Sequence, residues 1–144
     1  MIRPGQDSDA PAMAKVLSDW IDATPWMPRI HTRDDDFGFC EGLLRRTDVW
    51  VADARQGVGF LALADDTIDA LYLAPSIRGQ GWGTALLDAV KPERTRLSLW
   101  CFQANRAAQT FYRWHGFHVA EVTDGRGNAE KLPDCLMVWE RNAP

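Results

Sequence analysis

Cysteine is scarce in this sequence: Cys40, Cys101 and Cys135 are the only three, widely spaced and without a CxxC pair. An odd count at such spacing encodes neither a disulfide framework nor a zinc site, so no metal is expected and the thiols read as buried and inert. Basic charge is also short, with 16 Lys and Arg against 20 Asp and Glu and a formal charge of -4. Neutralising phosphates requires a basic face, so nucleic acid is not an expected partner. Long apolar runs are missing as well. Arg3, Asp7, Asp9, Lys15 and Asp19 interrupt the first twenty positions, which excludes a signal-peptide core or a membrane span there and leads to the cytoplasm as the expected location. No repeat, low-complexity tract or long linker divides the chain, so it is read as one domain, 1–144. A domain of that size buries about 68–70% of its unfolded surface.

What is present is ordinary globular material, 46% hydrophobic and 25% charged. A short strand at Met1–Pro4 precedes a helix that Asp7 or Ser8 can cap, with Ala12, Met13, Val16, Leu17, Trp20 and Ile21 on one stripe. Thr24 and Pro25 stop it. A second helix over about Thr32–Arg45 is acidic at its start (Asp34, Asp35, Asp36) and basic at its end, as the helix dipole favours. Val49–Ala54, Val58–Ala64 and Thr67–Ala74, joined by two short turns, read as an antiparallel meander. A glycine-rich turn then leads into a helix with Trp82, Ala85, Leu86, Ala89 and Val90 on one face, ended by Pro92. A strand at Leu97–Phe102, a helix from Asn105 to about His115 capped at Gly116, and strands near Phe117–Thr123 and Cys135–Glu140 complete the order. The expected class is α/β, an α+β mixed sheet with helices on both faces.

The run Arg78-Gly79-Gln80-Gly81-Trp82-Gly83 lies between a predicted strand and a predicted helix. Three glycines let the backbone turn sharply and approach a ligand closely. Amides at the start of the next helix, including that of Thr84, lack intrahelical partners and sit at the positive end of its dipole, so the natural occupant is a phosphate. A Rossmann site does not fit, because the preceding strands form hairpins, and a Walker lysine is missing.

The run Leu71 to Gly83 resembles the fourth strand and phosphate motif of the GNAT superfamily of acyl-CoA-dependent N-acetyltransferases. Asn105-Arg106-Ala107-Ala108-Gln109-Thr110-Phe111-Tyr112 and Gly116-Phe117 are similar to that family's second cofactor-side motif. The resemblance implies a GNAT-like fold of about seven mostly antiparallel strands with four helices, strand four splayed from strand five. It implies acetyl-CoA, or coenzyme A, as the cofactor, with Leu71, Tyr72 and Leu73 offering backbone to the pantetheine arm and Arg78, Gly79, Gln80, Gly81, Trp82, Gly83 and Thr84 holding the pyrophosphate. Asn105 would hold the pantetheine or a water, and Tyr112 would protonate the departing thiolate. Trp82 departs from the small aliphatic residue usual at its position. The family's strand-four carboxylate falls here on Thr67, flanked by Asp66 and Asp69, so Asp69 is the candidate base and His31 a second one.

The resemblance places the acceptor amine among Trp26, Arg29 and His31 opposite Glu130 and Asp134. Aromatic and acidic lining suits a cationic amine, and Arg29 suits a carboxylate. The acceptor is therefore expected to be a primary amine of a small molecule or peptide, with no membrane partner and a possible homodimer. A non-catalytic acyl-CoA-binding sensor is the alternative.

Overall fold

The computed structural model describes residues 1–142. These fall into two compact units, the first ending at Pro92 and the second beginning at Glu93.

In the first unit, β1 (Ile2–Pro4), β2 (Asp48–Ala54), β3 (Gly57–Ala64) and β4 (Thr67–Leu73) pair in that order, each antiparallel to the next. Helix α1 (Ala10–Ala23) buries Met13, Val16 and Leu17, and α2 (Arg33–Arg46) buries Cys40 and Leu43. These residues form one cluster with Val49, Val51, Phe60 and Ala70 from the strands. At about 25 cal/mol per Å² of apolar surface, this cluster is the main source of the unit's stability. Ala12 is exposed, so the stripe is shifted: Ala10 and Ala14 take the buried places. The start of α1 also differs from the expected Asp7 or Ser8 cap. Asp7–Asp9 is a 3-10 turn, and the Asp9 carboxylate accepts from Gln6 N at 2.8 Å and pairs with Arg3 at 2.8 Å.

Thr32 starts α2 through a capping box: Thr32 Oγ1 accepts from Asp35 N at 3.0 Å, and Thr32 N donates to Asp35 Oδ2 at 2.9 Å. Helix α3 (Trp82–Val90) stops two residues before Pro92, whose ring disfavours helical geometry just upstream.

In the second unit, β5 (Arg96–Phe102) pairs with β7 (Asp134–Glu140), which pairs with β6 (His118–Thr123), all antiparallel. Helix α4 (Arg106–Trp114) follows β5 and ends at Gly116, whose φ of 90° is the left-handed conformation expected there. The expected seven strands and four α-helices are thus all present among the described residues, and the class is mixed α/β. Cys40, Cys101 and Cys135 are free and buried. Burial pushes the Cys40 and Cys101 thiols up to about 12, which keeps them protonated. No helix among the described residues is long and apolar enough to cross a membrane.

Candidate functional site

The turn after β4 joins two left-handed glycines to the start of α3. Gly79 and Gly81 have φ of 72° and 90°, and a Cβ built on either meets no atom within 4 Å. Packing therefore does not require glycine at these positions; the left-handed backbone and the open space in front of it do. Gly81 is the N-cap of α3 and has no side chain to occupy the amides of Trp82 and Gly83 that open the helix. Ala85 N donates to Gly81 O at 3.0 Å. Gln80 Nε2 donates to Ser76 O at 3.1 Å and Arg78 Nε to Leu73 O at 3.2 Å, so both long side chains fold back onto the turn they flank. Trp82 is half-buried as the first residue of α3.

Register decides what β4 offers. Ala74 N donates to Val58 O at 2.9 Å, which makes Tyr72 and Phe60 a hydrogen-bonded pair two residues earlier. Tyr72 thus spends its backbone on β3, while the backbone groups of Leu71 and Leu73 point away from β3. Tyr72 contributes its ring instead: it lies 5.3 Å from Trp20, which lies 5.8 Å from Trp26. The Trp26 loop is therefore tied to the face of β4 by edge-on and tilted aromatic contacts.

Asp69 occupies a special place in that strand. Ala70 pairs with Ala62 and Ile68 with Leu63, so Asp69 is the extra residue of a β-bulge. Bulges re-aim a side chain and recur beside active sites. Although the residue is exposed overall, partial burial holds its carboxyl above the usual carboxylate range, against the opposing pull of Arg46.

Arg29 proves to be structural. Its Nε pairs with Asp22 at 2.5 Å, Nη1 with Asp36 at 2.9 Å and with His31 O at 2.9 Å, and Nη2 with Ser18 O at 3.0 Å. Asp36 is buried on α2 and also accepts from Ser18 Oγ at 2.5 Å. Arg29 thereby fastens α1 to α2, and a guanidinium committed four ways has little left for a substrate carboxylate. His31 is exposed, with Nδ1 3.9 Å from Asp35.

In the second unit, Asn105 caps α4: its Oδ1 accepts from Ala108 N at 3.2 Å, leaving only its amide donors for a ligand. Tyr112 is buried, its ring between Phe111 and Phe117 at 5.2 and 5.3 Å. Asp134 is likewise committed, accepting from Thr123 Oγ1 and from Asn128 Nδ2. Glu130 lines a cavity of about 490 Å³ together with Trp100, Phe102, Thr123, Asn128 and Asp134. Trp100 and Phe102 escaped the sequence reading. The alternation Ser98, Trp100, Phe102 along one strand was the available signal.

Comparison with known proteins adds three findings. Residues 45–119 match the model of the acetyltransferase (GNAT) domain. The chain is 29% identical to the peptidyl-lysine N-acetyltransferase YiaC of Escherichia coli, over 96% of both proteins. It is 35% identical to the peptidyl-lysine N-acetyltransferase YjaB of Salmonella typhimurium, over 56% of this chain and 59% of that one. Among solved structures, the apo form of YjaB from Escherichia coli superposes with a TM-score of 0.79 at 23% identity, covering 96% of each chain. YncA of Salmonella typhimurium, a structure with its cofactor acetyl-CoA, superposes at 0.75 and 18%, covering 100% of this chain and 95% of that one.

Proposed function

The chain belongs to the GNAT acetyltransferase family, as an N-acetyltransferase that draws its acetyl group from acetyl-CoA, and from that premise we propose that its acceptor is a lysine side chain within a polypeptide. The support is that YiaC, aligned along 96% of both chains, is named for that acceptor.

The residues present fit the cofactor. Two left-handed glycines with open space at Cβ and a helix start without a side-chain cap suit a pyrophosphate, so Gly79, Gly81, Trp82, Gly83 and Thr84 would hold it, with Arg78 and Gln80 at the rim. Leu71 and Leu73 would offer backbone to the pantetheine and to the acetyl carbonyl oxygen, and Asn105 its amide donors. When bound, acetyl-CoA supplies an acyl carbon already activated as a thioester.

The chain's own task is then proton management and positioning. A lysine amine must shed a proton before it attacks, and the bulged Asp69 carboxylate, raised by burial, is the group we assign to receive it. His31 is the second candidate. Tyr112 Oη would hold the proton given to the departing sulfur, since a phenolic hydroxyl is an O–H donor. Trp26 and His31 would line the lysine's approach. We place this reaction in one domain, working in the cytoplasm.

Four acceptors test the reading: a peptide with blocked ends carrying a single lysine, the same peptide with that lysine replaced by glutamine, a peptide with a free N-terminus and no lysine, and a polyamine. We expect kcat/KM on the lysine peptide to exceed that on the other amines by at least about tenfold, a difference of about 1.4 kcal/mol. A preference for the N-terminal amine or the polyamine would assign a different acceptor class.

A further inference from the structure

Glu130 and Trp100 stand out in the second unit because neither is explained by acetyl transfer or by packing. Cross-strand partners share a face, and Trp100 opposes Leu136 while Phe102 and Thr123 both oppose Asp134. These side chains therefore lie on one side of the β5-β7-β6 sheet, where Trp100 is 51% exposed. Half a tryptophan left to solvent on a sheet face, beside a second aromatic, is a surface that expects a contact.

The loop over this face is held rigidly. Asn128 Nδ2 donates to Leu132 O at 2.7 Å, and Leu132 N donates to Asn128 Oδ1 at 3.2 Å. Gly125 has φ of 85°, and a Cβ there would fall 2.3 Å from Leu132 backbone, so the loop closes only with glycine at that point. Its charges are settled except one. Asp134 is hydrogen-bonded to Thr123 and Asn128, Asp124 pairs with Arg126 at 3.0 Å, and Lys131 Nζ donates to Arg126 O at 2.7 Å. Glu130, half-buried on the cavity wall, has no side-chain partner among the described residues.

We infer that this cavity is a specificity subsite for a second cationic side chain of the acceptor polypeptide, an arginine in preference to a lysine, with its charge on Glu130 and its plane against Trp100. The inference rests on the lysine-acceptor reading above. A carboxylate beside an amine favours the charged form, which is the wrong state for a nucleophile, so Glu130 suits a cation that stays charged better than it suits the reacting lysine. Guanidinium never deprotonates in proteins, forks onto a carboxylate and stacks on indole. The volume of about 490 Å³ accommodates the whole side chain.

Two peptides with blocked ends decide it, each with one central lysine, flanked on both sides by arginines in one and by citrullines, the neutral isostere, in the other. Binding is measured by calorimetry with the central lysine already acetylated, so that no turnover is needed, and kcat/KM with it free. The arginine peptide should bind about tenfold tighter than the citrulline peptide. In Glu130→Gln that ratio should fall to within about twofold, and Trp100→Leu should weaken the arginine peptide about fivefold with little effect on the citrulline peptide. Equal turnover of both peptides by the unaltered protein would overturn the subsite while leaving the lysine reading intact. Absence of turnover on either, with the binding preference present and sensitive to Glu130→Gln, would sink the lysine reading and with it the subsite, leaving a cation-binding cavity of another role. A preference that survives Glu130→Gln would overturn the subsite.

Discussion

Replacing Gly81 with alanine separates the fold from the phosphate site. The new methyl meets no protein atom within 4 Å, so the cost to the apo protein is conformational, that of holding a non-glycine residue at φ of 90°. That cost is roughly 1–2 kcal/mol, which lowers Tm by about 4–8 °C in a domain of this size. The same methyl projects into the space assigned to the pyrophosphate. Coenzyme A at about 100 times its Kd adds roughly 2.7 kcal/mol to the unaltered protein, a rise of about 10 °C. If the methyl weakens binding at least about tenfold, the same concentration adds no more than roughly 1.4 kcal/mol. Thermal unfolding with and without coenzyme A reads both quantities. A Gly81→Ala protein with the full ligand-induced rise would refute the assignment, whatever its apo Tm.

Tyr112→Phe keeps the ring between Phe111 and Phe117 and removes only the hydroxyl, so kcat should fall about 10²-fold with the KM for acetyl-CoA unchanged; turnover within about threefold would make Tyr112 a packing residue. Arg29→Ala leaves buried Asp36 with Ser18 alone and should cost about 2–3 kcal/mol in chemical denaturation, discounted for the partial exposure of Arg29, while the acceptor KM stays near wild type. Asp69 acts as a base only when ionised, and its raised carboxyl puts that ionisation above the usual carboxylate range. The acid limb of kcat/KM against pH should therefore lie above pH 4 and flatten in Asp69→Asn; an unchanged limb would hand the role to His31 or to solvent. Asp9 is held below its ordinary value chiefly by its hydrogen bond to Arg3, so its contribution is present above about pH 4 and is lost as pH falls through the lower folded value. Asp9→Asn should flatten the acid side of a Tm-pH curve and leave the neutral side lower than in the parent protein.

Local signals carried most of the fold. Period-two strands, the helix start at Thr32, the stop before Pro92 and the left-handed Gly116 depend on neighbours within a few residues, and each lies within a residue or two of its expected place. The glycine turn was legible for the same reason. Tertiary partners were not. Arg29 looked like a substrate ligand because Asp22, Ser18 and Asp36, which occupy it, lie on two helices whose packing no local pattern specifies. Asp69 was one of two acids near a turn until the register placed it in a bulge, and Tyr72 lost its expected backbone role to the same register. The Trp100 cavity depends on strands paired across thirty residues of sequence and a loop pinned by Asn128, neither of which has a local signature.

The most direct measurement of the central claim is the time course of free coenzyme A thiol released from acetyl-CoA in the presence of a peptide with blocked ends and one lysine, with the product peptide analysed by mass spectrometry. Thiol should appear in proportion to enzyme and in one-to-one ratio with peptide acetylated on the lysine Nζ. Thiol release no faster than without enzyme, from protein that coenzyme A still stabilises against heat, would contradict catalysis and leave a binding module in its place.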